Sequence, residues 1–294
     1  MHARNRFRDG YDFARLIAAS PGLAAFVERA RHGGDSINFA NPDAVLALNQ
    51  ALLKHAYGLQ WSLPRGVLCP PIPGRSDYIH HLADLLSGGD PTLIPRGAGV
   101  RILDIGTGAN GIYPLIGASE YGWRFVGTEI DRAAMQWTRQ IVRVNPPVSP
   151  LIECRLQSNP DACFAGVVER SERFTASMCN PPFHASAEDA AAGTRRKHRN
   201  LGIRRSERTL NFGGTSGELW CRGGELGFIE RMIAESTHVP ALCRWFTTLV
   251  SKSGHLTRLR QSLKDTRAAD VRVIEMAHGS KKSRILAWTF TSSS

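Results

Sequence analysis

The chain has 294 residues, enough for one large or two modest domains with a buried core. No stretch approaches the ~18 uninterrupted apolar residues of a membrane-spanning helix, so we expect no membrane span. The formal net charge of +11, from 37 Lys and Arg against 26 Asp and Glu, favours a polyanionic partner. The alternative is a basic protein that its charge keeps soluble.

The six cysteines are scattered along the chain and include no Cys-x-x-Cys pair. This spacing argues against a structural zinc site and is typical of proteins from a reducing compartment. We therefore expect a cytoplasmic protein without a bound metal.

The first part of the chain is predicted to be mainly helical. Apolar periodicity predicts helices over residues 11–32, 43–57 and 77–86. Residues 66–74 are rich in Pro and Gly, which predicts an extended crossing before the third helix. A loop follows, and we expect it to end a small helical module over residues 1–98.

Strands and helices then alternate over residues 99–294, which predicts an α/β domain with a mostly parallel sheet covered on both faces. The predicted strands are 100–105, 124–129, 151–155, 174–179, 242–250, 270–276 and 284–291. The predicted helices lie near 110–119, 132–144, 225–236 and 254–267. A hairpin-like connection is predicted between the last two strands.

A glycine-rich loop follows the first predicted strand of this domain, with the pattern Asp-x-Gly-x-Gly. Gly106 and Gly108 let the backbone turn sharply and approach a ligand closely. The spacing differs from the dinucleotide pattern Gly-x-Gly-x-x-Gly and is typical of the first loop of methyltransferases that use S-adenosylmethionine (SAM). Asp104 would then serve the loop and the cationic methionine end of that ligand.

Two carboxylates lie at the end of the second strand, about 20 residues beyond the glycines, where nucleotide-binding βαβ units place a ribose-binding acid. We predict that Glu129 accepts hydrogen bonds from the ribose hydroxyls. Asp131 is predicted to cap the helix that begins near Arg132.

Residues 180–183, Asn-Pro-Pro-Phe, follow the fourth strand and predict a stiff turn, because the two prolines lack N–H groups and restrict their predecessors. The Asn180 side-chain oxygen and the Pro181 carbonyl can accept hydrogen bonds from a planar amine. Phe183 can stack on the attached ring. The alternative is an ordinary loop in which Phe183 fills the core.

A strongly basic segment comes directly after this turn, and within fourteen residues only Glu207 opposes it. Its cations are Arg195, Arg196, Lys197, Arg199, Arg204, Arg205 and Arg208. We expect a loop that becomes ordered on phosphates beside the site. The alternative is a solvated, mobile loop.

Several segments together closely resemble the bacterial 23S ribosomal RNA adenine-N6 methyltransferase F family. They are residues 11–13, 39–42, 73–80, 104–117, 120–129, 179–184, 210–214, 218–225 and 283–290. The resemblance covers nearly the whole chain. The eukaryotic methyltransferase-like 16 proteins are similar more distantly, since they share the Asn-Pro-Pro-Phe and Gly-Gly-Glu elements.

The resemblance implies a Rossmann-like class I SAM-dependent methyltransferase fold with a seven-stranded sheet. It implies SAM as the cofactor and a specific adenine of 23S ribosomal RNA as the target, in free RNA or a large-subunit precursor. It further implies that Arg75 reaches the SAM carboxylate, unless it is a surface residue, and that residues 1–98 contribute to RNA binding. It leaves the modified adenine and the oligomeric state undefined.

Other functions remain possible on the residues alone. A protein glutamine N5-methyltransferase also holds an amide –NH₂ with an Asn-Pro-Pro-aromatic turn, although Tyr is more usual than Phe183 in the fourth position. A DNA adenine methyltransferase fits the same chemistry. A non-catalytic RNA-binding ribosome-assembly factor is disfavoured because the glycine loop, Glu129 and Asn180 are intact. Gly223–Glu225 is predicted either to shape the target-base pocket or to cap a helix, and Gln157–Asn159 to lie near the SAM adenine.

Overall fold

The computed structural model describes residues 1–30, 33–182, 221–278 and 281–291. Its strands, in chain order, are β1 (Val27–Arg29), β2 (Asp35–Ile37), β3 (Arg101–Ile105), β4 (Arg124–Glu129), β5 (Ile152–Leu156), β6 (Phe174–Cys179), β7 (Cys243–Val250), β8 (Asp270–His278) and β9 (Lys281–Thr289). β1 and β2 pair with each other in a small antiparallel sheet.

The remaining strands form one seven-stranded sheet in the order β5-β4-β3-β6-β7-β9-β8. The first five strands of this order run parallel, whereas β9 runs antiparallel to both β7 and β8. The predicted α/β class with a mostly parallel sheet is therefore confirmed, and so is the antiparallel pairing of the last two strands.

The helices within the described residues are α1 (Phe13–Ala19), α2 (Pro42–Tyr57), α3 (Ile72–Leu86), α4 (Ile112–Tyr121), α5 (Arg132–Arg143), α6 (Gly224–Ser236) and α7 (His255–Asp265). Short 3-10 helices lie at Pro21–Phe26, Pro91–Leu93 and Ser149–Leu151. None of the helices in these parts of the chain has both the length and the apolar character needed to cross a bilayer.

The predicted helix over residues 11–32 is wrong. α1 ends at Ala19, because Ser20 precedes a proline and adopts φ −142° and ψ 86°, outside the helical region. Pro21 then begins a 3-10 helix, and the chain continues into β1.

The helix predicted to begin at Asp77 begins earlier, at Ile72, so the extended crossing ends at Pro71. Proline is tolerated in a first helical turn, where its missing N–H would have no intrahelical partner. The extra turn adds Arg75 to the helix.

Successive residues of a strand point to opposite faces of the sheet. The strand residues accordingly contribute to two apolar clusters, as expected for a sheet covered on both faces. One cluster contains Ile102 and Trp245 together with residues of α2, α3 and α4, and the other contains Phe246 and Trp288 together with residues of α6 and α7. Residues from the first 98 positions therefore share a core with the sheet. The proposed boundary near residue 98 stays a prediction.

The close packing of α4 on β4 depends on Gly117. A Cβ atom at this position would collide with the Cζ and Cε2 atoms of Phe125.

Gly117→Ala is therefore expected to lower the free energy of unfolding by about 1–3 kcal/mol, although Ala is usually more favourable than Gly inside a helix by about 1 kcal/mol. Urea unfolding measures the change. Gly74→Ala in α3 is the control, since a Cβ atom there would have no neighbour within 4 Å; equal stability of the two variants would contradict the prediction.

Candidate active site

Three parallel strands end side by side at the centre of the sheet. Ile105 of β3 pairs with Thr128 of β4 on one side and with Cys179 of β6 on the other. The residues that directly follow these positions lie at the same edge of the sheet: Gly106, Glu129 (the last residue of β4) and Asn180. The strand order changes direction at β3, and ligands of open α/β sheets bind at such switch points.

A pocket opens at this edge of the sheet. Its lining combines apolar side chains with a few polar groups, as is usual for a small-molecule site. The pocket brings together most of the predicted cofactor-binding residues: Arg75, Gly106, Gly108, Glu129 and Asn180. The sequence therefore located the pocket, while the roles assigned to these residues stay predictions.

The glycine loop is held in a conformation that disfavours larger residues. Gly106 has φ +72° and Gly108 has φ +66°, both in the left-handed region. The Thr107 N–H donates to the Thr128 carbonyl over 2.9 Å. The Trp61 indole N–H donates to the Asn110 carbonyl over 2.8 Å, so the N-terminal part of the chain also fixes this loop.

Glu129 organises the backbone around it. Its Oε1 accepts hydrogen bonds from the Ile130 and Asp131 N–H groups over 2.8 and 3.0 Å, and its Oε2 accepts one from Gly108 over 2.9 Å. Burial raises the pKa of Glu129, and these hydrogen bonds oppose the shift. A carboxylate offers about four acceptor positions, so one is left for a ligand hydroxyl.

Asp131 caps α5, as predicted. Its Oδ1 accepts from the N–H groups of Ala133 and Ala134 over 2.7 and 3.1 Å. The two neighbouring carboxylates therefore differ in role, because Asp131 serves the helix while Glu129 faces the pocket.

Asp104 lies beside the pocket without lining it. Its side chain is 1% exposed, and neither carboxyl oxygen has a hydrogen-bond partner among the described residues. Burial raises the pKa of Asp104 to about 7, the charge of Glu129 adds to the shift, and Thr107 and Arg75 oppose it. An unpartnered buried carboxyl group is costly when ionised, so this site favours either a proton or a nearby cation.

The turn that is predicted to bind an amine begins at Asn180, whose Oδ1 is buried and has no partner among the described residues. Pro182 lines the same pocket. Pro181 is described but is not among the lining residues. Phe183 and the predicted RNA-binding residues lie outside the described residues, so their roles stay predictions: Arg195, Arg196, Lys197, Arg199, Arg204 and Arg205.

Arg75 lies in the pocket wall and not on an open surface. Its Nη1 donates to the Tyr113 hydroxyl over 2.9 Å, and its guanidinium lies 5.6 Å from the centre of that ring. Leu68 and Pro70, from the extended segment before α3, line the same pocket. The N-terminal part of the chain therefore supplies one wall.

Sequence reasoning missed the lining residues of α6. Phe228 and Arg231 line the pocket, together with Cys163 and Cys221. No motif marks these residues, and they reach the pocket only through the packing of α6 and of the loop after β5. In that loop Gln157 lines the pocket, while its side chain donates to the Ala165 carbonyl over 3.0 Å.

The Gly-Gly-Glu element begins α6. Glu225 accepts from the Ser251 N–H over 2.6 Å, and its Oε2 lies 2.8 Å from His255 Nδ1. Glu225 is 1% exposed and does not line the pocket. It joins the start of α6 to the end of β7 and the start of α7, which favours the structural interpretation of this element.

Comparison with known proteins identifies the family. A family described as RNA methyltransferase matches residues 1–292. The ribosomal RNA large subunit methyltransferase F of Methylobacillus flagellatus is 53% identical, over 99% of this chain and 91% of that protein. The protein of the same name from Pseudomonas syringae pv. syringae is 52% identical, over 99% of this chain and 89% of that protein.

Solved structures of RNA methyltransferase domains are similar to the whole chain. The human METTL16 catalytic domain in complex with MAT2A 3′UTR hairpin 1 matches with a TM-score of 0.82 and 33% identity, covering 100% of this chain and 98% of that chain. The N-terminal domain of human METTL16 in complex with SAH matches with a TM-score of 0.75 and 31% identity, covering 99% of each chain.

The sheet, the glycine loop and the acidic residue that ends β4 define a SAM-dependent methyltransferase, and the matching family acts on RNA. The chain belongs to the ribosomal RNA large subunit methyltransferase F family. The residues at and beside the pocket fit SAM. The carboxylate of Glu129, in the lining, and the Asp104 carboxyl group, which has no partner among the described residues, suit a cationic ligand that carries a ribose.

The Asp104 carboxyl group should make stability depend on pH. The unfolded chain releases its proton near pH 3.8, whereas the native protein holds it up to about pH 7. Between these values, rising pH therefore lowers the free energy of unfolding, by about 1.4 kcal/mol per pH unit. Asp104→Asn removes this titration, so the stability of the wild type relative to the variant should fall from pH 5 and level off above pH 7.

Urea unfolding of the ligand-free protein at pH 5, 6, 7 and 8 measures this difference. Asp9→Asn is the control for loss of one negative charge, since the Asp9 side chain is 89% exposed. A stability difference between wild type and Asp104→Asn that stays constant over this range would show that Asp104 does not titrate there.

Proposed function

We propose that this protein transfers a methyl group from SAM to N6 of a specific adenine in 23S ribosomal RNA, in the cytoplasm. The observation that carries the proposal is that Asn180 Oδ1, one strand away from the glycine loop, is buried and has no hydrogen-bond partner among the described residues. The names of the relatives support a ribosomal RNA substrate. Free RNA and a large-subunit precursor are both candidate forms of it.

The Asn180 turn provides the acceptors that the reaction needs. The exocyclic amine of adenine is a weak nucleophile, because its lone pair is delocalised into the ring. Bound SAM supplies an electrophilic methyl group on a positively charged sulfur. Asn180 Oδ1 and the Pro181 carbonyl accept the two amine hydrogens and orient the nitrogen lone pair, so alignment supplies much of the rate. The amine loses its proton after methylation, and no strong general base is required.

The other pocket residues hold the cofactor in this proposal. Glu129 binds a ribose hydroxyl with the one acceptor position that its backbone contacts leave free. Gly106 and Gly108 allow close approach of the methionine portion, and Arg75 pairs with its carboxylate. Asp104 adds negative charge beside the cationic end.

The RNA contacts are assigned to the basic segment that follows the turn and to the N-terminal part of the chain. The net charge of +11 and the RNA-bound METTL16 structure support a polyanionic partner. Phe183 is assigned to stack on the target base, presented unpaired.

The test is methyl transfer from labelled SAM to ribosomal RNA and large-subunit precursors from a strain lacking this gene, followed by nucleoside analysis. Label is expected in N6-methyladenosine of 23S RNA. Label in glutamine of a protein would favour the N5-methyltransferase alternative. SAM binding without transfer to either RNA form would favour the assembly factor.

Asn180→Ala removes one of the two acceptors for the amine. Turnover is expected to fall on the order of 100-fold, because the amine loses its alignment. SAM affinity, measured by calorimetry, should change much less. Near-wild-type turnover in this variant would remove Asn180 from the proposed mechanism.

Replacing Arg195, Arg196, Lys197 and Arg199 together with Ala tests the basic segment. The variant should bind RNA more weakly, and the slope of log affinity against log salt should flatten by about 0.7–0.9 for each phosphate that the protein no longer neutralises. Fluorescence anisotropy at several salt concentrations measures the slope. An unchanged slope would place the RNA contacts elsewhere.

A further inference from the structure

A buried tyrosine connects the cofactor wall to the amine-binding turn. Tyr78 lies in α3, three residues after Arg75, and its side chain is fully buried. Its hydroxyl lies 2.8 Å from the Thr247 hydroxyl of β7. The same oxygen accepts a hydrogen bond of 3.4 Å from the N–H of Cys179, the last residue before Asn180.

The direction of these hydrogen bonds follows from their partners. Thr247 Oγ1 donates to the carbonyl of Ser177 over 2.7 Å, and that carbonyl can only accept. The single hydrogen of Thr247 is therefore used, so the Tyr78 hydroxyl donates to Thr247 Oγ1. Burial raises the pKa of Tyr78 well above its usual value, which keeps this hydrogen in place.

The hydrogen bonds of Tyr78 and Thr247 lie where the pairing of β6 with β7 ends and its pairing with β3 continues. The register of β6 with β7 runs from Phe174 to Ser177, whereas the register with β3 continues to Cys179. Beyond Ser177, the Tyr78 hydroxyl takes the place of a β7 backbone acceptor for the Cys179 N–H. On this side of β6, the Thr247 side chain thus holds the Ser177 carbonyl and the Tyr78 side chain holds the Cys179 N–H.

We infer that Tyr78 and Thr247 are positioning residues that set the direction in which Asn180 leaves β6, and that they do so relative to Arg75. This inference rests on the proposed function, since it concerns how the amine acceptor is held. Tyr78 shares α3 with Arg75, and its ring contacts the Tyr113 ring edge-on at 5.4 Å between centres. The Tyr113 hydroxyl in turn accepts from Arg75. One helix therefore holds both the cofactor wall and the turn.

Tyr78→Phe tests the inference, because it removes only the hydroxyl and keeps the ring. Turnover should fall on the order of 10- to 100-fold through misplacement of Asn180, while the dissociation constant for SAM stays within about 2-fold of wild type. Tyr57→Phe is the matched control. Tyr57 is the last residue of α2, and its buried hydroxyl lies 2.7 Å from the hydroxyl of Ser76 in α3. The Tyr57→Phe change therefore removes a second buried hydroxyl that contacts α3 but has no contact with β6. It should keep wild-type turnover.

Thr247 gives an independent pair of variants. Thr247→Val keeps the shape and loses the hydroxyl, so it should reproduce the loss of turnover, whereas Thr247→Ser keeps the hydroxyl and should retain activity. Tyr78→Phe combined with Thr247→Val should lose little more than either change alone, because both act on one network.

Amide hydrogen exchange of residue 179 provides a readout that needs no methyl transfer. Exchange should become faster in Tyr78→Phe and Thr247→Val and stay unchanged in Tyr57→Phe. Wild-type exchange and turnover in a folded Tyr78→Phe protein would overturn the inference, as would a loss confined to SAM affinity. Absence of label in N6-methyladenosine of 23S RNA with the wild-type protein would instead overturn the proposed function. The two failures are therefore distinguishable.

Discussion

The pocket depends on the register of three parallel strands. Because Ile105 pairs with both Thr128 and Cys179, β3, β4 and β6 end within one residue of each other at one edge of the sheet. Glu129, at the end of β4, also contacts the loop that follows β3, since its carboxylate accepts a hydrogen bond from the Gly108 N–H. A shift of one residue in either pairing would move the glycine loop, the acid or the amide out of the shared pocket.

The three carboxylic acids at this edge of the sheet have different roles, although they are the same kind of residue in the sequence. Of three acids near the pocket, Asp131 caps a helix and Glu129 holds backbone N–H groups and faces the pocket. Asp104 is buried and has no hydrogen-bond partner among the described residues. Burial raises the pKa of Asp104 to about 7, and burial also raises the pKa of Glu129, where backbone hydrogen bonds oppose the shift. Environment, more than residue type, therefore sets the chemistry of each carboxylate.

The sequence predicted the bounds of β4 and β6 correctly, since apolar runs ended by turn residues define buried strands. It failed over residues 11–32, where a proline after Ser20 outweighs helical periodicity. It also missed Arg231, because a lining residue without a motif is placed only by the tertiary packing of its helix. The Tyr78 network was not predictable for the same reason, since Thr247 is 169 residues away in the chain.

The wall of the pocket that Leu68, Pro70 and Arg75 contribute has a thermodynamic consequence. A ligand that contacts this wall and the glycine loop binds only the state in which both parts of the chain are docked, so its binding energy stabilises the docking itself. The hydrogen bond from Trp61 to the glycine loop adds to this coupling. Filling the pocket would therefore protect the N-terminal part of the chain from proteases.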